Sequence, residues 1–210
     1  MSRYALLVAL VLAAGACQIS STPLAAPVVS QAPHTAPDAA ALQPGEVALG
    51  LQACPGSGPI ATYVTTLQAS DPTLAAKFSS EWRSLQSAGA EGAAVAVYAA
   101  DPSACSAELA ATGAVKSEAS VVVAFGDEGQ ADRAWQAGIL GFAPPAPGEN
   151  PPGVIRGNAT GLGDESWTYT NVPVQLASWR RSVFVALVVA TNLDGAAFKA
   201  ATAAINARLN

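Results

Sequence analysis

Four strand-length segments follow one another at residues 154–160, 165–170, 172–179 and 182–191, and the gaps between them cannot hold a helix. Consecutive strands joined by turns pair antiparallel, because a parallel partner needs a crossover of a dozen or more residues. Trp167 and Tyr169 share one face of their segment under the period of two. Arg180-Arg181-Ser182 reads as the turn into the most apolar run, 183–190. Two earlier runs, 93–99 and 120–125, also have strand length, and the second is continuously apolar, as a strand buried on both faces is. The chain is therefore expected to fold as α+β, with an antiparallel sheet of about five to six strands and helices packed mainly on one face.

The helices are marked by their caps and stripes. Pro59 opens a segment in which Ile60, Tyr63, Val64 and Leu67 share a side. Ser70 or Asp71 caps a second helix with Pro72 at its first position, and Leu74, Phe78, Trp82 and Leu85 form its apolar stripe. Asp127 caps a third, through Gly138. Asn192 or Asp194 caps a closing helix with Phe198, Ala201, Ile205 and Leu209 on one side.

The N-terminal residues carry an address. Arg3 supplies a charged start, residues 4–13 an apolar stretch, and Ala14-Gly15-Ala16 small residues before Cys17. The stretch is too short to span a bilayer of about 30 Å, and it reads as a signal peptide over residues 1–16. Small residues running into a cysteine resemble the lipobox of bacterial lipoproteins. That resemblance implies diacylation of Cys17 and anchoring to the outer face of the cell membrane. Ala14-Gly15-Ala16 also suits ordinary signal peptidase, which would leave a secreted protein. From Cys17 to residue 52 the chain is rich in Ala, Pro, Ser, Thr and Gln, contains the only histidine, His34, and is expected to be a flexible tether. Residues 53–210 are then a single extracytoplasmic domain.

The chain has three cysteines. If Cys17 is acylated, Cys54 and Cys105 are left to form a structural disulfide, which suits an oxidising compartment. A formal net charge of −5, with Arg180-Arg181 as the only adjacent basic pair, argues against nucleic acid as a partner. The expected partners are the membrane, through the N-terminal lipid, and either an envelope protein or a small hydrophobic ligand.

Catalytic groups are hard to find. The domain after residue 52 has no histidine, so a Ser or Cys nucleophile would lack its usual base. Cys-x-x-Cys and calcium-loop patterns are absent, and no metal or cofactor is expected. Two acidic pairs, Asp127-Glu128 and Asp164-Glu165, could serve a glycosidase only by converging across a cleft, with Arg156 as another candidate partner. The glycine-rich run 157–163 lacks the Lys-Ser/Thr ending of a phosphate loop and leads into a strand, so it reads as a turn.

What remains is binding. Of the four tryptophans, Trp82, Trp135, Trp167 and Trp179, the last stands beside Arg180 and Arg181 at a hairpin end and is the surface candidate. The loop 143–153 holds five prolines, including Pro151 and Pro152, which keep it extended and suited to be a recognition edge. The leading expectation is a tethered, non-enzymatic ligand- or partner-binding domain. The alternative is a lipid carrier with an internal cavity lined by Val121, Val123, Val183, Val185 and Leu187.

Overall fold

A computed structural model of the protein describes residues 34–209. The expected signal peptide, Cys17 and the tether up to residue 33 lie outside the described residues. The elements run α1 (Pro37–Ala40), β1 (Gln52–Ala53), β2 (Gly58–Pro59), α2 (Ile60–Ser70), α3 (Pro72–Ser87), β3 (Ala90–Ala99), β4 (Ser117–Phe125), α4 (Glu128–Ala137), β5 (Val154–Arg156), β6 (Ser166–Asn171), β7 (Val174–Arg181), β8 (Phe184–Thr191) and α5 (Gly195–Arg208). The fold is α+β. Its sheet has eight strands rather than five or six, in the order β1-β3-β4-β8-β7-β6-β5, with β2 also pairing β3. Every pairing is antiparallel. The extra strands are β1 and β2, two residues each, too short to leave a periodic signal.

From β4 the chain crosses through α4 to the far edge, and the meander β5 to β8 brings it back against β4. Alternation along each strand separates two apolar layers. On one face, Val95, Val97, Val121, Val123, Val185, Leu187 and Trp167 pack under Tyr63 and Leu67 of α2, Leu74 and Phe78 of α3, and Ala131 and Ala134 of α4. On the other, Ala94, Ala96, Val122, Ala186, Val188 and Trp179 pack under Phe198, Ala201 and Ile205 of α5. Three long helices thus share a face, and α5 covers the opposite one.

Asp71 Oδ1 accepts the Leu74 N–H at 2.9 Å and Asp127 Oδ1 the Gln130 N–H at 2.8 Å. Asp194 Oδ1 accepts those of Ala196 (3.0 Å) and Ala197 (2.8 Å). Each cap fills helix-start donors that otherwise lack partners. Several strand boundaries differ from expectation, with β3 and β4 each beginning three residues earlier, at Ala90 and Ser117. Residues 157–160 form a 3-10 turn after β5, and the β7–β8 turn falls at Ser182-Val183, since Arg181 pairs with Phe184.

The Cys54–Cys105 disulfide is present, with the Cα atoms 5.6 Å apart. It joins the residue after β1, ahead of β2 and α2, to the 3-10 turn Pro102–Ser106 that follows β3.

Residues 37–51, expected to belong to the tether, instead form an ordered strap across the second face. Ala40, Ala41 and Leu42 are buried there. Leu42 N–H donates to Ser120 Oγ (3.0 Å), Tyr98 OH donates to Leu42 O (3.0 Å), and Ala48 N–H donates to Glu118 Oε2 (3.3 Å). From α5, Arg208 Nη2 donates to Ala40 O (3.0 Å), Ala41 O (2.9 Å) and Glu46 Oε2 (2.9 Å). His34, expected in the tether, meets the Phe184 ring edge-on at 5.9 Å. Alanine-rich composition misled here because small side chains let the strap lie flat on the alanines of the sheet.

Candidate functional site

Three features within residues 135–167 meet at one cleft of about 630 Å³: the proline loop, two of the tryptophans, and Arg156. The cleft is lined by Trp135 and Gln136 from the end of α4, Pro144, Pro145 and Pro147 from the loop, Arg156 from β5, Trp167 from β6, and Asp164 from the turn before β6. Register explains the meeting. Arg156 of β5 pairs directly with Trp167 of β6, and α4 lies on that same face of the sheet.

The loop is held in place by its own polar groups. Arg156 Nη2 donates to Pro145 O and, at 3.2 Å, to Ala146 O. Glu149 Oε2 accepts the Ala146 N–H at 3.0 Å. Prolines already restrict the loop, so little further entropy is lost in fixing this wall.

Residues of the cleft wall also carry buried donors without partners. Ten buried side-chain N and O atoms among the described residues have no hydrogen-bond partner, and three of them, Trp135 Nε1, Trp167 Nε1 and Arg156 Nε, belong to cleft residues. A buried donor without an acceptor costs about 1–3 kcal/mol. All three are pure donors, and all three are buried, so they stand behind the cleft surface rather than on it. Asp164 provides the opposite character, with one carboxylate oxygen bound to Asn158 Nδ2.

A second opening of about 760 Å³ lies on the other face, between β5–β6 and the start of α5. It exposes Ile155 (43%) and Val172 (71%), two of the three large exposed apolar side chains among the described residues. Two of its polar groups are engaged within the protein: Gln175 Nε2 donates to Leu193 O (2.8 Å) and Thr202 Oγ1 to Phe198 O (3.1 Å). None of the ten unpartnered atoms lies on it. It is larger than the cleft, and Lys199 is among the residues that line it.

The expected binding surface is not brought together. Trp179 is fully buried under α5 (0% exposed), because alternation along β7 turns it to the inner side of the second face. Arg180 points to the opposite face, paired with Glu165 and lying 3.9 Å from Asp132 Oδ1. Arg181 is exposed at the turn. Pro151 and Pro152 are exposed but do not line the cleft, whose wall is the earlier half of the loop. Trp82 is half-buried against the α3 side of the core.

The acidic pairs do not form a catalytic couple. Asp127 is the α4 cap, and the second pair is split, with Asp164 on the cleft and Glu165 on Arg180. Ser166 Oγ is 2.6 Å from Thr160 Oγ1 and donates to Gly163 O at 2.5 Å, so its hydroxyl serves the turn. No group of three or more metal-ligating side chains occurs among the described residues, and no helix among them is long and apolar enough to cross a membrane.

No family model, curated protein or solved structure matches the chain. The cleft is therefore interpreted from its own chemistry.

Two titratable groups on the described residues are strongly displaced. Burial pushes the Tyr63 hydroxyl up to about 12, helped by the charge of Glu108. Burial pushes the Glu118 carboxyl up to about 7, against the opposing pull of the Ala48 N–H. Neither lines the cleft.

Proposed function

We propose that the protein is an exported, lipid-anchored binding domain without catalytic activity, and that its ligand sits in the cleft between Trp135, Trp167, Arg156 and the proline loop. The observation that carries the reading is the meeting of Trp135, Trp167, Arg156 and the proline loop at one opening. A volume of about 630 Å³ falls within the range of roughly 300–1,000 Å³ typical of ligand sites. Export and anchoring rest on the leader residues and on Cys17, and the Cys54–Cys105 bridge suits an oxidising compartment. The carrier alternative gains no support, since Val121, Val123, Val185 and Leu187 are packed in one core layer and Val183 in the other.

Two measurements test the proposal. Intact mass of the protein from host membranes should show a chain beginning at Cys17 with added acyl mass; an unmodified chain refutes the anchor. A thermal-shift screen of the full chain against small neutral and anionic compounds should yield ligands that raise Tm in the wild type. A ligand at 100 times its Kd adds about 2.7 kcal/mol. The gain should vanish in Trp135→Ala, and hits that persist in that variant refute the cleft.

A further inference from the structure

We infer that the strap, residues 37–51, is a pH-controlled latch: it is closed on the sheet while the Glu118 carboxyl keeps its proton, and it lifts, with the domain still folded, when Glu118 ionises. The inference goes beyond the cleft and does not depend on it.

The strap is lightly held. Of its residues only Ala40, Ala41 and Leu42 are buried, and two of these are alanines, while Leu49 is fully exposed. The rest of its hold is polar, made on its backbone by Ser120, Tyr98, Glu118 and Arg208. The neighbouring α5 instead buries Phe198, Ala201 and Ile205 in the same layer. A segment with few buried apolar contacts opens before the body of a fold. Gly50, with nothing packed within 4 Å of where a side chain would stand, gives the strap a free joint next to β1.

Glu118 sets a charge beneath this segment. It is fully buried, its Oε2 accepts only the Ala48 N–H of the strap at 3.3 Å, and its Oε1 has no partner. A protonated carboxyl tolerates such a site, whereas a carboxylate there lacks the donors that water supplies. Burial accordingly pushes its titration up to about 7, against the Ala48 N–H. Lifting the strap at Ala48 hydrates the carboxylate and leaves Glu118 in its place between Tyr98 and Ala190 of the sheet. The closed strap thus holds a proton that the open strap releases, so rising pH favours opening.

The surrounding groups do not supply this switch. From β3, Tyr98 is pushed further up by burial and then by Glu46, and from β8, Ala190 carries no charge. On the strap, burial opposes ionisation of Glu46, but Arg208 and the Gln43 N–H hold its carboxyl below the usual range, and Asp38 is exposed. From α5, Arg208 is tied to Glu46, Asp194 caps the helix and Lys199 is exposed. Lys116, beside Glu118 at the start of β4, is also exposed. His34 meets Phe184, which pairs with Ala124 at the opposite end of β4.

The strap lies between Cys17 and the rest of the domain, so opening adds up to about 50 Å of extended chain to that connection. This consequence rests on the anchor proposed above, which intact mass tests. The latch itself is read by a different experiment.

Amide exchange of the ¹⁵N-labelled full chain in detergent, corrected for the intrinsic effect of pH, is measured at pH 5.5 and 8. Leu42 and Ala48 should be less protected than Val122 of β4 and Ala201 of α5 at both pH values. Their exchange should be indifferent to low urea, whereas that of Val122 and Ala201 should quicken with it. Between the two pH values the opening constant at Leu42 and Ala48 should rise about 30-fold, given a closed value of about 7 and an ordinary open value of 4.5. Glu118→Gln should remove that rise. Tyr98→Phe, which loses the donor to Leu42 O, should raise opening about fivefold at both pH values and keep the rise. Equal protection and equal urea dependence at strap and core overturn the latch, because the strap then leaves only when the domain unfolds. Opening that is flat with pH in the wild type, or a rise that persists in Glu118→Gln or disappears in Tyr98→Phe, overturns the role of Glu118.

Discussion

Replacing Glu118 with glutamine should abolish a stability loss that the native protein suffers as pH rises. Glu118 lies on β4 between Tyr98 and Ala190 of the neighbouring strands, under the strap, and is 0% exposed. Its Oε2 accepts one N–H, from Ala48, and its Oε1 has no partner. Burial therefore favours the protonated form, and the carboxyl titrates at about 7 instead of the ordinary 4.5. With the folded value above the unfolded one, stability is full below about pH 4.5, falls between 4.5 and 7, and levels off above. At about 1.4 kcal/mol per tenfold change in proton affinity, the loss amounts to about 3 kcal/mol. The groups around it act elsewhere on the scale. Burial opposes ionisation of Glu46, but Arg208 and the Gln43 N–H hold its carboxyl below the usual range, so its contribution is lost only as pH falls below that range. Tyr98 is pushed further up by burial and by Glu46, well above this window. Glu118→Gln keeps an acceptor for Ala48 and has no charge to bury. Urea unfolding followed by circular dichroism at pH 4 and pH 8 should show near-equal stabilities at pH 4. At pH 8 the variant should lead by about 3 kcal/mol, on the order of 10 °C in Tm. A native curve that stays flat from pH 4.5 to 7.5, or a variant with the same slope, refutes the reasoning.

Other substitutions read other parts of the fold. Reducing the Cys54–Cys105 bridge, or replacing both cysteines with alanine, should cost about 4 kcal/mol in the chain-entropy treatment of a 51-residue separation, seen as a lower urea midpoint. Arg208→Met removes the donors to Ala40 O and Ala41 O and leaves Glu46 without its ion-pair partner; about 2–3 kcal/mol should be lost, and amide exchange at Leu42 should quicken while that of Val122 in β4 changes little. Arg180→Ala should destabilise by about 2 kcal/mol because it strips Glu165 of its partner, whereas Arg181→Ala should stay within about 0.5 kcal/mol; chemical unfolding of both variants separates the two arginines that the sequence sets side by side.

The legible parts of the chain were those with a period or a cap. The stripe of α3, the caps Asp71, Asp127 and Asp194, and the alternation of Trp167 with Tyr169 all correspond to observed elements. The strap was not legible, because its recognition is made by side chains of distant strands, Ser120, Tyr98 and Glu118, meeting backbone atoms of a featureless segment. The cleft was visible only in fragments. Arg156, Trp167 and the proline loop each attracted notice, but joining them requires the β5–β6 register and the path of α4 across the sheet. Trp179 shows the opposite failure. Its two arginine neighbours suggested a surface, while one step of alternation along β7 decides between solvent and core.

Photocrosslinking in the native host tests the central claim most directly. A benzoylphenylalanine takes the place of Gln136, which is exposed at the rim of the cleft, or of Val172, which is exposed at the groove beside α5. Illumination should attach a host molecule at position 136 and nothing at position 172. An adduct at 172 alone, or at neither position, contradicts the assignment of the cleft as the binding site.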